Sequence, residues 1–129
     1  MLTPYEVAVR TVIPAIRSMI VKELYMKYNM KQKDIARLLD LTQAVVSYYL
    51  SDNRGKVIDL SDFEDVIYLV REKARIIFEK KPDPKTITSM VLEITKYFIS
   101  RGYLCRFHRE LEPDVNPECC GLCKELFRL

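Results

Sequence analysis

Residues 32–50 read QKDIARLLDLTQAVVSYYL, and this stretch decides the fold that we expect. The spacing of its apolar residues predicts two short helices, at about 32–39 and 43–51, with Asp40 in the turn between them. Thr42 stands where a residue caps the second helix by accepting hydrogen bonds from its free N–H groups. The stretch therefore predicts a tight corner between two helices.

The side chains of this corner separate into an inward and an outward set. Ile35 and Leu39 lie on the buried face of the first helix, and the small Ala36 lets the second helix approach closely. Val46, with Tyr49 or Leu50, would pack the second helix inward. Four side chains then face outward from its N-terminal half: Gln43, Ala44, Ser47 and Tyr48. A helix presented in this way fits the major groove, where Gln pairs with adenine and small residues touch thymine methyl groups.

These residues resemble the helix-turn-helix of the phage-repressor and Cro (Xre) family. The matching positions are Gln32, Ala36, Leu41, Thr42, Gln43, Val46 and Ser47. The segment that follows, Tyr49-Leu50-Ser51-x-x-Arg54-Gly55, resembles the end of the motif in small archaeal regulators of this class. The resemblance implies that Gln32 braces a phosphate. It also implies that the base edges of double-stranded DNA are met by Gln43, Ala44 and Tyr48.

Three features depart from the family pattern. The turn position is usually glycine because it needs a positive φ, but here it is Asp40, and Lys31 is a weak N-cap for the first helix. The second helix carries no Arg or Lys, so phosphates must be neutralised by Lys31, Lys33, Arg37, Arg54 and Lys56. The predicted DNA-binding residues are Gln32, Lys33, Arg37, Thr42, Gln43, Ala44, Ser47, Tyr48, Arg54 and Lys56.

The predicted DNA-binding region, residues 1–58, also contains a helical segment ahead of the corner. Thr3 and Glu6 form a capping box around Pro4, which suits the first helical position. Pro14 falls inside the apolar rhythm that follows, and it should kink the helix or split it in two. The segment should close at Asn29, since Asn tolerates the left-handed conformation that ends many helices.

Residues 59–101 are predicted to form two long helices that complete the core and join two copies of the chain. The first begins at the capping box Ser61-x-x-Glu64. It carries an a/d stripe: Leu60, Phe63, Ile67, Val70, Ala74 and Ile77. The second, at about 85–101, ends at Gly102. Because these helices carry more apolar surface than one small domain readily buries, we expect a homodimer through this region.

All four cysteines lie in the predicted tail, residues 102–129, at Cys105, Cys119, Cys120 and Cys123. The last two form a CxxC, a spacing by which one short turn aims two sulfurs at one metal, and His108 is a spare ligand. Four thiolates suit an iron–sulfur cluster or Zn²⁺, and adjacent cysteines are accommodated more easily by the larger cluster. Disulfides and exposed thiols remain alternatives.

Composition bounds the class of protein. The 129 residues support one compact unit, and 49% hydrophobic with 30% charged residues is typical of a globular chain. Residues 1–58 hold nine Lys and Arg against five Asp and Glu, so the positive excess lies beside the predicted corner. There is no apolar run of membrane-spanning length and no secretory leader pattern, so we expect a cytoplasmic protein.

The sequence therefore predicts an all-α fold with an Xre-like helix-turn-helix, additional long helices and a short cysteine-rich tail. The function predicted from it is sequence-specific DNA binding by a dimeric transcriptional regulator, with a redox- or metal-responsive cysteine cluster. The alternative is an all-helical protein-interaction module whose tail is held by a structural metal or disulfide. An enzyme is disfavoured because the chain has a single His, three Gly and no glycine-rich phosphate loop.

Overall fold

The computed structural model describes residues 1–51, 57–114 and 121–127. Within these ranges every regular element is helical, so the predicted all-α class is confirmed. The helices are α1 (Pro4–Arg10), α2 (Val12–Lys22), α3 (Gln32–Leu39), α4 (Gln43–Leu50), α5 (Glu64–Lys80), α6 (Pro84–Ser100), α7 (Leu104–Leu111) and α8 (Leu122–Leu126), with a π-helical turn, Glu23–Lys27, continuing α2. No helix in the described part of the chain has the length and apolarity to cross a membrane.

The predicted effect of Pro14 is confirmed as a break between α1 and α2. Pro14 has no N–H to offer the preceding turn, and its ring would clash with a carbonyl there. The chain leaves helical geometry at Thr11, where φ is −127° and ψ is −80°. The buried Thr11 hydroxyl donates to the carbonyl of Val7 at 2.6 Å, which secures the end of α1. The break lets α1 and α2 pack against each other instead of continuing along one axis.

The junction between α2 and α3 contains a π-helical turn that no sequence pattern predicted. From Glu23 the helix widens into a π-turn, with the N–H of Tyr28 bonded to the Glu23 carbonyl at 3.3 Å. Asn29 then takes the left-handed conformation, at φ 54°, as predicted. π-turns inside α-helices are rare and occur often at functional sites.

The start of α5 differs from the prediction. The helix begins at Glu64, after Phe63, and the Ser61-x-x-Glu64 box does not form. Instead the N–H of Ser61 donates to Asp59 Oδ1 at 2.9 Å. Tertiary packing overrides the local capping signal, because Phe63 leaves the helix to pack against aromatic rings. Its partners are Phe98, Tyr103 and Phe107.

A carboxylate in the first turn of α5 joins three parts of the fold. Asp65 Oδ2 accepts hydrogen bonds from the hydroxyls of Tyr97 at 2.6 Å and Tyr103 at 2.8 Å, while Oδ1 accepts from the N–H of Val66. Burial opposes ionisation of this group, but the hydrogen bonds outweigh it and lower the pKa of Asp65. The ionised carboxylate therefore ties α5 to α6 and to the segment that leads into α7.

The a/d stripe of α5 lies largely inside the chain's own core. Val70, Ala74 and Ile77 are at most 1% exposed, and Leu60 is also buried. They pack with α2 and α6, which occupy the centre of the molecule. The apolar surface that led us to expect a dimer is thus mostly used within one chain.

The described part of the tail belongs to the same core. Leu104 and Phe107 of α7 are buried, as are Cys123 of α8 and Phe127 just after it. Helix α7 packs on α1 and α6, and the ring of Phe127 meets that of Tyr5 edge to face, 5.5 Å between centroids. One hydrophobic core therefore runs through all three regions distinguished in the sequence.

Candidate nucleic-acid interface

The corner between α3 and α4 is closed by backbone geometry that Asp40 makes possible. Asp40 is left-handed, at φ 54° and ψ 46°, in the position where the sequence predicted a positive φ. The N–H of Leu41 donates to the carbonyl of Ala36 at 2.9 Å, and that of Asp40 to Arg37 at 3.4 Å. This is the paired bonding of a Schellman motif, which ends α3 and reverses the chain within two residues.

Helix α4 begins at the predicted cap. Thr42 is extended, and its Oγ1 accepts a hydrogen bond from the N–H of Val45 at 3.1 Å. By contrast Lys31, ahead of α3, makes no side-chain cap, as its residue type suggested. The first turn of α4 is thus fixed, while its remaining free N–H groups point out of the helix end, where they favour anions.

Two anchors hold α4 in a fixed rotation. Val46 is fully buried and Tyr49 is 8% exposed, one turn apart on the side that packs against α2 and α3. On α3 the matching inward residues are Ile35 and Ala36, both buried. Burial raises the pKa of Tyr49, with Arg17 acting weakly in the opposite direction, so the phenol stays neutral. The inward positions predicted from the sequence are thus confirmed, except that Leu39 is only half-buried.

The opposite face of α4 is open. Four of the predicted DNA-binding side chains project from it and are exposed: Gln43, Ala44, Ser47 and Tyr48. They come from two successive turns of α4, as the pairs 43/47 and 44/48, so they form one continuous surface. Thr42 is exposed at its edge. The side chains of this surface are small or polar, except for the ring of Tyr48. That ring contacts the ring of Tyr49, with 5.9 Å between the centroids.

Positive charge flanks this surface on α3. Lys33 and Arg37 are exposed and four positions apart, so they stand on one face of that helix. Neither forms an ion pair within the described ranges, whereas Arg71, Lys73, Arg75 and Arg106 do. Gln32 lies half-buried at the first position of α3. Arg54 and Lys56, also predicted to bind phosphates, lie outside the described residues.

Two of the four predicted cysteine ligands lie within the described residues. Cys105 is half-buried on α7 and Cys123 is buried on α8, while Cys119 and Cys120 lie outside the described residues. Among the residues that are described, no group of three His, Cys, Asp or Glu side chains is arranged to hold a metal ion. The spare ligand His108 is buried, with its Nε2 2.8 Å from Glu112 Oε1. The four-cysteine cluster stays a prediction.

One feature of chemical interest was missed by the sequence analysis. A cavity of about 550 Å³ lies between α2, the start of the π-turn, the segment 57–61 and α5, and it reaches Ser51 at the end of α4. Glu23 is part of its wall. Its formation depends on residues far apart in the chain, so no local pattern marks it. The sequence offered no signal beyond an unremarkable glutamate in a helical run.

Comparisons with protein-family models, with curated proteins and with solved structures found no match to this chain. The function is therefore argued from its own residues.

Proposed function

We propose that this chain is a sequence-specific DNA-binding protein that acts as a transcriptional regulator, with α4 as its recognition helix. The observation that carries the proposal is the division of α4 into two faces. Val46 and Tyr49 are locked into the core, while the outward residues of its N-terminal half are exposed beside a basic face of α3. A helix that is held rigidly but open at its N-terminal half is what the major groove accepts.

The proposed division of labour follows from side-chain chemistry. Gln43 stands at the first position of α4 and can pair with N6 and N7 of adenine, and Ala44 can contact a thymine methyl group. Lys33 and Arg37, on one face of α3, would neutralise phosphates along one side of the groove, which sets affinity without selecting sequence. Gln32, at the N-terminus of α3, would brace a phosphate, as the resemblance to the Xre family implies.

The proposal includes a homodimer through residues 59–101, because regulators of this type read two half-sites. With the a/d stripe buried, the surface for such an interface is the outer face of α5 and α6. Tyr68 is 64% exposed and Leu92 is 48% exposed on that face. Leu69 and Tyr97 line a groove of about 320 Å³ between the two helices.

We also keep the cysteine cluster as a proposal, in the form of a metal- or redox-responsive tail. It is supported by placement, since α7 and α8 carry Cys105 and Cys123 and both pack on α6. Metal analysis and an absorption spectrum of anaerobically purified protein test it. We expect iron with sulfide, or zinc, and loss of the metal in the Cys120→Ser/Cys123→Ser double variant. Metal-free wild-type protein would remove the metal-bound form.

DNA binding is tested by selection from random double-stranded DNA, followed by affinity measurements with excess competitor. We expect enrichment of a defined sequence. Gln43→Ala should then lose discrimination at one base pair, by about 1–3 kcal/mol. Lys33→Ala should weaken binding to all sequences alike and reduce the salt slope by about one. Arg109→Ala, an exposed basic residue on α7, is the matched control and should change neither.

Each result has a distinct meaning. No enrichment, with all proteins folded by circular dichroism, would contradict DNA binding and leave the interaction-module alternative. A uniform loss in both Gln43→Ala and Lys33→Ala would show that α4 is not oriented as proposed. Equal losses in Arg109→Ala would place the DNA on another surface.

A further inference from the structure

Glu23 occupies an unusual electrostatic position. Its side chain is 23% exposed, and its Oε2 atom is buried without a hydrogen-bond partner among the described residues. The other oxygen, Oε1, has only a loose ion pair, 3.8 Å from Nε of Arg71, whose side chain is 63% exposed. A buried carboxylate oxygen without a donor is costly, and native structures rarely leave one so.

The surroundings of Glu23 offer room for the missing donor. The carboxylate belongs to the wall of the 550 Å³ cavity, a volume within the range of small-molecule sites. The rest of the wall is mixed. Its aliphatic part includes Met19, Ile58, Leu60 and Ile67, and its polar part includes Lys22, Asp59 and Ser61. Apolar surface for the body of a ligand, beside polar groups that fix its orientation, is what small-molecule sites provide.

The backbone at this point also departs from regular structure. Glu23 is the first residue of the π-turn, and its carbonyl accepts the five-residue hydrogen bond from Tyr28. In a regular α-helix each N–H would instead donate to the carbonyl four residues earlier. The turn, the cavity and the orphaned oxygen are three independent features that meet at one residue.

We propose that this cavity binds a small amphipathic molecule with a protonated amine and an aliphatic body. The ammonium group would donate a hydrogen bond to the Glu23 carboxylate. Rotation about χ3 of Glu23, a torsion with a broad energy minimum, would turn a carboxylate oxygen toward the ligand. The aliphatic body would lie against the apolar wall. Asp59 also lines the cavity, so an anionic ligand would meet two carboxylates. Of the two cationic residues in the wall, Lys22 and Arg71, the second extends largely into solvent, where its charge is screened.

The site extends the proposed function without depending on it. The cavity reaches Ser51, whose N–H bonds to the carbonyl of Ser47 at the end of α4. A molecule in the cavity would therefore touch the residue that directly follows the recognition helix, which itself packs against α2 and α3. Binding of the molecule is measured without DNA, so failure of this inference and failure of DNA binding are separate results.

The experiment is isothermal titration calorimetry of the full chain with three probes of equal length: hexylammonium, hexanol and hexanoate. We expect saturable binding of hexylammonium, about 10- to 100-fold tighter than either other probe, the range for a hydrogen bond to a charged group. Glu23→Gln should remove that preference. The matched control is Glu72→Gln on α5, which lies outside the cavity, has a side chain that is 42% exposed and should bind like the wild type.

Three outcomes would overturn the proposal: no saturable binding of hexylammonium, equal binding of the three probes, or equal behaviour of Glu23→Gln and Glu72→Gln. Ile67→Trp, which fills the cavity from α5, gives a second test that leaves the carboxylate intact. It should abolish binding of all probes while the circular dichroism spectrum is retained. Full binding by a folded Ile67→Trp protein would place the ligand elsewhere and refute the site.

Discussion

The carboxylate of Asp65 gives a quantitative prediction about stability. Asp65→Asn keeps the shape and one acceptor oxygen but removes the charge that strengthens the hydrogen bonds from Tyr97 and Tyr103. A hydrogen bond to a charged group contributes about 1.5–3 kcal/mol and a neutral one about 0.5–1.5 kcal/mol, so two bonds could lose about 2 kcal/mol together. Because both tyrosines are half-buried and water can replace part of the loss, we expect a decrease of about 1–2 kcal/mol near pH 7.

The same substitution should have a characteristic pH dependence. The folded-state pKa of Asp65 lies below its value in the unfolded chain, so the ionised carboxylate favours folding. That contribution is fully present above the unfolded pKa of about 3.9, and it is lost as the pH falls through the folded pKa. The difference between wild type and Asp65→Asn should therefore be constant above about pH 5 and shrink below about pH 4.

Urea unfolding followed by circular dichroism at several pH values measures this difference directly. Asp62→Asn is the matched control, since its side chain is 75% exposed and lies 3.5 Å from the guanidinium of Arg106, which is itself half-exposed. It should change stability by less than about 0.5 kcal/mol. If Asp65→Asn were as stable as the wild type near pH 7, or if its deficit were the same near pH 3, the hydrogen-bonded junction would not have the role described.

Three further predictions concern the core, the interface and the thiols. Ile35→Ala should lower the free energy of unfolding by about 2–5 kcal/mol in urea, and a loss below about 1 kcal/mol would contradict tight packing at this position. Leu92→Glu should remain folded but sediment as a monomer, whereas Val70→Asp should unfold; a folded, dimeric Leu92→Glu protein would exclude this face as the interface. Cys105, half-buried on α7, should react with a disulfide reagent more slowly in the folded protein than in denaturant, and equal labelling rates would disagree with the packing of α7.

The sequence predicted those parts of the fold that depend on local chemistry. Thr42 caps α4, Asp40 takes a positive φ and Pro14 ends a helix because of interactions within a few residues of each. The outward set on α4 follows from the same regularity, since helical spacing separates Gln43 and Ser47 from the buried positions.

The parts that it did not predict depend on distant partners. The capping box at Ser61 was overridden because Phe63 packs on rings more than thirty residues away. Likewise, the cavity beside Glu23 exists only after α2 and α5 have come together. Periodicity identified the stripe containing Val70 as apolar, but it could not tell whether the covering surface would come from the same chain or from another copy.

The packing of α1 has a consequence for the order in which the molecule forms. Helices α2, α3 and α4 follow one another closely and can assemble through nearby contacts, which form fast. Helix α1, by contrast, is covered by α7 and by Phe127, residues made about a hundred positions later. During synthesis α2 can cover part of the apolar side of α1, but the part that faces α7 stays exposed until the later helices are made. Partly assembled chains that expose such surface tend to aggregate. The packing of α1 is thus completed only when the cysteine-bearing tail has been made, because α7 and Phe127 both contact this helix.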